Sequence, residues 1–425
     1  MTTEQLYEIF LQYPSAETDT RKLKQGDIFF ALKGPNFNGN AFAQQALAAG
    51  AAYAVIDEAA FVSGERTILT DDVLSTLQQL AKHHRQQFSI PFLAITGSNG
   101  KTTTKELVHV VLSHTCKTYT TEGNLNNHIG IPLTILKVKK DADIAVIEMG
   151  ANHQKEIAAY CEYTLPTHGI ITNCGKAHLE GFGGIEGVRK GKGELFDHLR
   201  AYKGTAFIMH DYEYLQQMSR GIPEIITYGT HDAGTTGVVE ASEPFLHVRM
   251  AKGLVDTIAT QLVGDYNLPN ILAAVAVGNY FKVPAEKIKE AIESYTPSNS
   301  RSQLIEKGSN KIILDAYNAN PSSMKAAIEN FARLPAENKV LMLGGMAELG
   351  LESLDEHKAV IGLINQYKWS QVVLVGGDFL HIPHSYTSFD RSAQAKEWFQ
   401  QQQFEHTTIL IKGSRSMQME KVLEP

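Results

Sequence analysis

The chain has 425 residues, 43% of them hydrophobic and 20% charged, with a formal net charge of -7. At roughly 150 residues per domain that length allows about three domains, and the composition excludes a disordered or fibrous chain. The negative charge excludes a general nucleic-acid binder, which neutralises phosphates with clustered Lys and Arg.

The basic run Leu136 to Lys140 reads as a solvated strand end. The first residues, MTTEQLYEIF, lack a basic region followed by an apolar core, so no signal peptide is expected. No apolar run approaches the ~20 residues needed to cross a bilayer, and an integral membrane protein is not expected. Cys116, Cys161 and Cys174 are widely spaced and odd in number, which fits reduced thiols in the cytoplasm.

Residues 1–88 alternate short strands and helices. Strands are predicted in DIFFAL from Asp27, AAYAVID from Ala51 and TILT from Thr67, and helices in AFAQQALAAG from Ala41 and VLSTLQQLAKHHRQQ from Val73. They read as a small α/β domain. Ser89, Ile90 and Pro91 mark a junction, because proline biases the residue before it away from helix.

A second domain spans residues 89–298, where FLAI from Phe92, IAVI from Ile144 and GIIT from Gly169 lack polar alternation, as buried parallel strands do. Turn-rich β segments follow from Thr205 to Asp265, then helices in NILAAVAVGNYF and PAEKIKEAIESY. TPSNS, from Thr296 to Ser300, is the second linker. Residues 299–425 hold four more apolar strands, ending before Asp315, Gly344, Gly376 and Lys412, which predicts a doubly wound third domain.

The stretch AITGSNGKTTTKE, from Ala94 to Glu106, joins an apolar strand to a helix with an apolar face at Leu107, Val110 and Val111. A strand, a glycine loop and a helix N-terminus together make an anion site. Lys101 supplies charge and the Thr102 hydroxyl can reach Mg2+. The G-x-x-x-x-G-K-[ST] pattern wants a further glycine where Ile95 stands, so the loop is shorter or differently bent.

Ligands of open parallel sheets bind beyond the carboxyl ends of the strands. Glu148 and His178 fall at two such ends. Alone, Glu148 reads as a helix cap and His178 as a loop histidine; beside a phosphate loop they read as divalent-metal ligands. Lys192, in RKGKGELF, reads by itself as a solvent-facing lysine on a helix.

TGSNGKTTTKE together with these pieces resembles the Mur ligases, the ATP-dependent amide-forming enzymes of peptidoglycan precursor synthesis, in which Ile95 is normal. The likeness covers nearly the whole chain. DTRKLKQGDIFFALKG from Asp19, GNLNNHIGIPLT from Gly123, IEMGANHQKEI from Ile147, DAYNANPSSM from Asp315, GGMAELG followed by His357, and KGSRSM from Lys412 resemble the branch that adds D-alanyl-D-alanine. No Asp-Asn-Pro-Arg motif, typical of the branch adding a diamino acid, occurs.

The resemblance implies a UDP-substrate domain, a central P-loop-type parallel-sheet ATPase domain and a C-terminal Rossmann-like domain. It implies that Gly97, Ser98, Asn99, Gly100, Lys101, Thr102 and Thr103 hold ATP, with Asn267, Asn270, Arg301 and Asp315 completing the nucleotide site. Thr102, Glu148, His178 and a CO2-carboxylated Lys192 would bind Mg2+, and Lys101, His178 and Lys192 would serve catalysis. Thr20, Arg21, Lys33, Asn126, Asn127, Asn318, Asn320, Lys412, Ser414 and Arg415 would bind UDP-N-acetylmuramoyl-tripeptide or D-alanyl-D-alanine. The partners implied are these small molecules, and the chain is expected to act as a monomer.

The chain departs from the family pattern at Asn38 and Asn40, which replace an Asp and a His, and at Tyr266, which replaces a His. NSRS around Arg301 lacks a usual glycine, and a single Asp315 stands for an acidic pair. These bear on uridine and adenine contacts. A P-loop kinase or NTPase is the rival reading, but it leaves three domains and KGSRSM unexplained.

Overall fold

The computed structural model describes residues 1–251, 256–297 and 300–424. Ser298 and Asn299 of the predicted linker lie outside the described residues.

The first sheet is parallel and runs in the spatial order Ala16–Glu17, Ile28–Phe30, Tyr53–Ile56, Thr67–Leu69. One face packs on the short helix Ala43–Ala48 through Phe29, Ala46, Ala54 and Ile56. The other packs on the helix Val73–Arg85, whose Val73, Leu77 and Leu80 are buried, and on Thr3–Gln12, a helix absent from the predicted elements. Thr2 starts that helix with a capping box to Gln5, a local signal at the chain start that apolar periodicity does not report. Arg85 then ties the first domain down, donating through Nε to Thr164 O at 2.9 Å and through a terminal nitrogen to Leu165 O at 3.1 Å.

The second sheet has nine strands, with Phe92–Thr96 between His168–Ile171 and Ile144–Glu148. The strands from Thr118–Thr120 across to Thr235–Ala241 pair in parallel, and His247–Met250 and Thr257–Ala259 continue the sheet antiparallel. Phe92–Thr96 and Ile144–Glu148 are buried at every residue, which is why their sequences are unbroken apolar runs. The helix Lys101–Leu112 buries Leu107, Val108, Val111 and Leu112 against Leu268–Tyr280, so Val108 rather than Val110 completes its apolar face. The basic run belongs to no strand: Leu136 is the last residue of the helix Gly130–Leu136, and Lys137, Lys139 and Lys140 are exposed beyond it. Positive charge there complements the helix dipole.

The third sheet runs Gln303–Lys307, Asn310–Asp315, Thr407–Lys412, Asn338–Gly344, Gln371–Val375, Thr387–Phe389, with only the first pair antiparallel. Successive strand residues face opposite ways: Ile313, Leu341 and Leu343 join Met324, Ile328 and Val360 of two helices on one face, while Ile312, Leu314, Val340 and Met342 meet Ala395 and Trp398 on the other. Helices on both faces make it doubly wound, as the sequence predicts. No described helix is long and apolar enough to cross a membrane, and all three cysteines are free.

Candidate active site

The phosphate loop turns from the strand Phe92–Thr96 into the helix Lys101–Leu112. Gly97 and Gly100 have φ of 143° and 79°, left-handed backbone that glycine adopts without penalty. A Cβ at Gly97 would sit 2.0 Å from Thr172 Oγ1, and one at Gly100 2.4 Å from Asn270 Oδ1. Asn270 is itself fixed, donating to Asn267 Oδ1 at 2.9 Å and accepting from Thr104 Oγ1 at 3.0 Å. The Lys101 ammonium folds onto the carbonyls of Gly97 at 2.7 Å and Ser98 at 3.3 Å; burial lowers its pKa, with Glu148 opposing and Arg301 adding to the shift.

Glu148 ends its strand beside this helix. Its Oε1 accepts from Thr102 Oγ1 at 3.1 Å and Asn126 Nδ2 at 2.8 Å, and its N–H donates to Thr121 Oγ1 at 3.0 Å. Its Oε2 is buried with no hydrogen-bond partner among the described residues. A carboxylate oxygen left open beside a threonine hydroxyl fits a hard divalent cation such as Mg2+, which takes few protein ligands and keeps water and phosphate oxygens. Among the described residues no group of three or more His, Cys, Asp or Glu forms a complete cage.

His178 opens the short helix Leu179–Phe182 and pairs through Nδ1 with Glu348 of the third domain. Lys192 is only 1% exposed, which overturns the solvent-facing reading. Its ammonium donates to Ala151 O at 3.0 Å and lies 4.8 Å from the centre of the Phe182 ring. Burial, then the nearby Lys101 charge, pulls its pKa down to about 7.

A cavity of about 1130 Å3 opens between the second and third domains. From the second domain it takes Ser98 to Thr103, Asn126, Asn127, Glu148, His178, Asn267 and Asn270; from the third, Arg301, Asp315, Asn318, Asn320, Lys412 and Arg415. Arg301 and Arg415 both lie over Tyr317, 3.6 Å and 5.9 Å from its ring centre.

Family models described as Mur ligase family, catalytic domain; Mur ligase middle domain; and Mur ligase, glutamate ligase domain match residues 15–89, 95–278 and 300–415 in turn. A relative from Escherichia coli (strain K12), named UDP-N-acetylmuramoyl-tripeptide--D-alanyl-D-alanine ligase, is 35% identical over 421 residues, covering 96% of this chain and 92% of its own. This chain belongs to the Mur ligase family. The relative of the same name from Bacillus subtilis (strain 168) is 34% identical over 420 residues, with the same coverage of 96% and 92%. Among solved structures, MurF from Acinetobacter baumannii superposes with a TM-score of 0.89 at 28% identity, over 99% of this chain and 97% of that one. MurF ligase from Thermotoga maritima, in complex with ADP, gives 0.86 at 27% identity over 97% of each chain.

Six of the predicted residues of this Mur ligase lie away from the cavity lining. Gly97 packs against Thr172, with its carbonyl taken by the Lys101 ammonium, and Lys192 is buried. Ser414 is buried, with its hydroxyl donating to Gly345 O at 2.6 Å. Thr20 does not line it, Arg21 pairs with Asp19 at 2.8 Å, and Lys33 pairs with Asp57 at 3.0 Å. Lys33, Asn38, Asn40, Asp57 and Glu58 form one network: Asn38 donates to Glu58, and Asn40 donates to Asp57 at 2.8 Å and accepts from its N–H at 2.9 Å. The two asparagines thus have structural partners of their own. Within the cavity, Asp315 and Lys412 hold each other at 2.6 Å, and Asn127 Oδ1 accepts from the N–H groups of Ile129 and Gly130. Tyr266, in place of the usual His, shares a hydrogen bond with Ser302 of the third domain at 2.9 Å.

Sequence reasoning missed Asn173, Asp211, Tyr212 and Ser322, all of which line the cavity of this Mur ligase. The first three follow the ends of the strands His168–Ile171 and Thr205–Met209, so the strand-end rule that selected Glu148 selects them too.

Proposed function

We propose that this Mur ligase joins UDP-N-acetylmuramoyl-tripeptide to D-alanyl-D-alanine, forming an amide bond while ATP becomes ADP and phosphate. One observation carries the reading: the phosphate loop and the Asn318, Asn320 and Arg415 side of the third domain face the same cavity. An acyl phosphate made at the loop therefore faces the domain that would present the amine. In this reading residues 1–88 receive the UDP end, 89–298 ATP, and 299–425 the dipeptide, in the cytoplasm.

A carboxylate in water is a poor electrophile, and phosphorylation supplies a leaving group. A terminal carboxylate oxygen of the tripeptide attacks the γ-phosphorus, the bond to the β-phosphate oxygen breaks, and ADP leaves. The amine nitrogen then attacks the acyl carbon and loses a proton, and the tetrahedral intermediate expels phosphate. Lys101 and the loop N–H groups position the transferring group and stabilise its charge. Thr102 and Glu148, with its open Oε2, would hold Mg2+, joined by His178 and a carboxylated Lys192. Bound there, Mg2+ supplies charge neutralisation at the phosphate oxygens. A lysine whose pKa is near 7 is about half amine at neutral pH, and only the amine can add to CO2, forming an N–C bond and losing a proton.

Hydroxylamine tests the intermediate. Incubation with ATP, Mg2+ and the UDP-linked tripeptide, without the dipeptide, should yield the tripeptide hydroxamate by mass spectrometry. Its absence, with the amide product forming normally once the dipeptide is added, would contradict the acyl phosphate route.

A further inference from the structure

The loop of residues 173–178 follows the strand His168–Ile171 and touches two domains at once. On its inner side it holds the phosphate loop. Asn173 accepts the Asn99 N–H and donates to the Asn99 carbonyl, both at 3.0 Å, while its own carbonyl accepts the Ser98 N–H at 2.9 Å. The Ser98 hydroxyl donates to the Gly175 carbonyl at 2.8 Å.

On its outer side the same loop holds the third domain. The Lys176 N–H donates to the Ser322 hydroxyl at 2.9 Å, and the Lys176 ammonium reaches Glu356 Oε1 at 2.5 Å. Ser322 lies in the first turn of the helix Pro321–Arg333, and Glu356 on Ser353–Ile364. Gly175 marks where the pieces meet: a Cβ there would stand 2.8 Å from Ser322 Oγ and 3.4 Å from Asn99 Nδ2. Asn320 Nδ2 closes the circuit by donating to Asn99 Oδ1 at 2.8 Å.

We infer that loop 173–178 couples the phosphate loop to the third domain, and that Lys176 is a positioning residue holding that domain over the cavity through Glu356. Lys176 is not among the cavity-lining residues, so it acts on the third domain and not on substrate. The Ser98 and Asn99 backbone cannot shift without moving Asn173 and Gly175, and these carry Lys176 with them. Glu356 is only 12% exposed in the pair, so the contact is screened less than a fully solvated one. The third domain must return to this seat at each turnover, as domain closures that complete a site do.

The test uses the full-length Lys176→Met, Glu356→Gln and Lys176→Arg variants and the Met/Gln double, read by scattering with ADP and by ligase kinetics. The kinetic arm rests on the proposed ligase activity; the scattering arm does not. Each neutral variant should raise the KM for D-alanyl-D-alanine about threefold, the range of a partly exposed ion pair. Melting temperature should stay unchanged and the radius of gyration with ADP should be larger than wild type. The double should be no worse than either single, because both remove one interaction, and Lys176→Arg should behave as wild type. Additive losses in the double, or a fall in kcat alone that tracks a lower melting temperature, would overturn the coupling. Wild-type protein without amine-dependent turnover would defeat the ligase reading, while the scattering comparison would still decide the coupling.

Discussion

Lys101 ends the phosphate loop with its ammonium resting on the loop's own carbonyls, a position from which it can turn to a bound phosphate. Removing one preorganised charge-stabilising group typically lowers rate by ~10²–10³. Lys101→Ala should lose turnover by that factor and still bind the UDP-linked tripeptide in calorimetry; near-normal turnover would remove the lysine from the chemistry. Lys192 differs in kind, because burial and the Lys101 charge favour its neutral form. With 13C-bicarbonate, a carbamate NMR signal should grow as pH rises through about 7 and be missing in Lys192→Met. A pH-independent signal, or one that survives the substitution, would place the label elsewhere. The same shift sets a stability slope. The folded chain gives up this proton near pH 7 while the unfolded chain keeps it to higher pH, so in CO2-free buffer stability should rise with pH above about 7. Lys192 was not legible as buried from sequence, since a lysine between two glycines on a helix looks solvated. What buries it is Phe182 and Ala151 from other elements.

At the scale of the element, the strand, glycine loop and helix of the nucleotide site were legible because each is local. The apolar run, the glycines and the helix start lie within thirteen consecutive residues, Ala94 to Glu106. What the sequence does not carry is the ceiling on Gly100, which comes from Asn270 on a helix far along the chain. Gly100→Ala combines left-handed backbone, about 1–2 kcal/mol, with a Cβ driven into Asn270 Oδ1. It should weaken ATP binding in calorimetry and lower the melting temperature of the ligand-free protein; unchanged values of both would mean that the loop relaxes freely. His357 shows the opposite case. The sequence singles it out after GGMAELG, and the structure gives it a bridging place: its Nε2 accepts the Met346 N–H at 3.0 Å and its Nδ1 lies 2.7 Å from Ser353 O. That arrangement fixes the loop against the helix Ser353–Ile364, and burial lowers the histidine pKa.

For the whole molecule, the α/β class and the doubly wound third domain were readable from the order of apolar strands and helical stretches. The seating of one domain on another was not. Lys176 and Glu356 are separated by 180 positions, and Asn99 and Asn320 by 221, and no periodicity or motif links such pairs. These contacts, together with His178–Glu348 and Tyr266–Ser302, seat the third domain so that Arg301, Asn318 and Asn320 line one cavity with the phosphate loop. A site split in this way should act only when both substrates are present, since closure excludes water from a reactive acyl phosphate. The most direct measurement is ADP release from ATP and Mg2+ with UDP-N-acetylmuramoyl-tripeptide, with and without D-alanyl-D-alanine. The account predicts sustained release only when both are supplied, one ADP for each amide formed; steady release from ATP alone, indifferent to the amine, would contradict it.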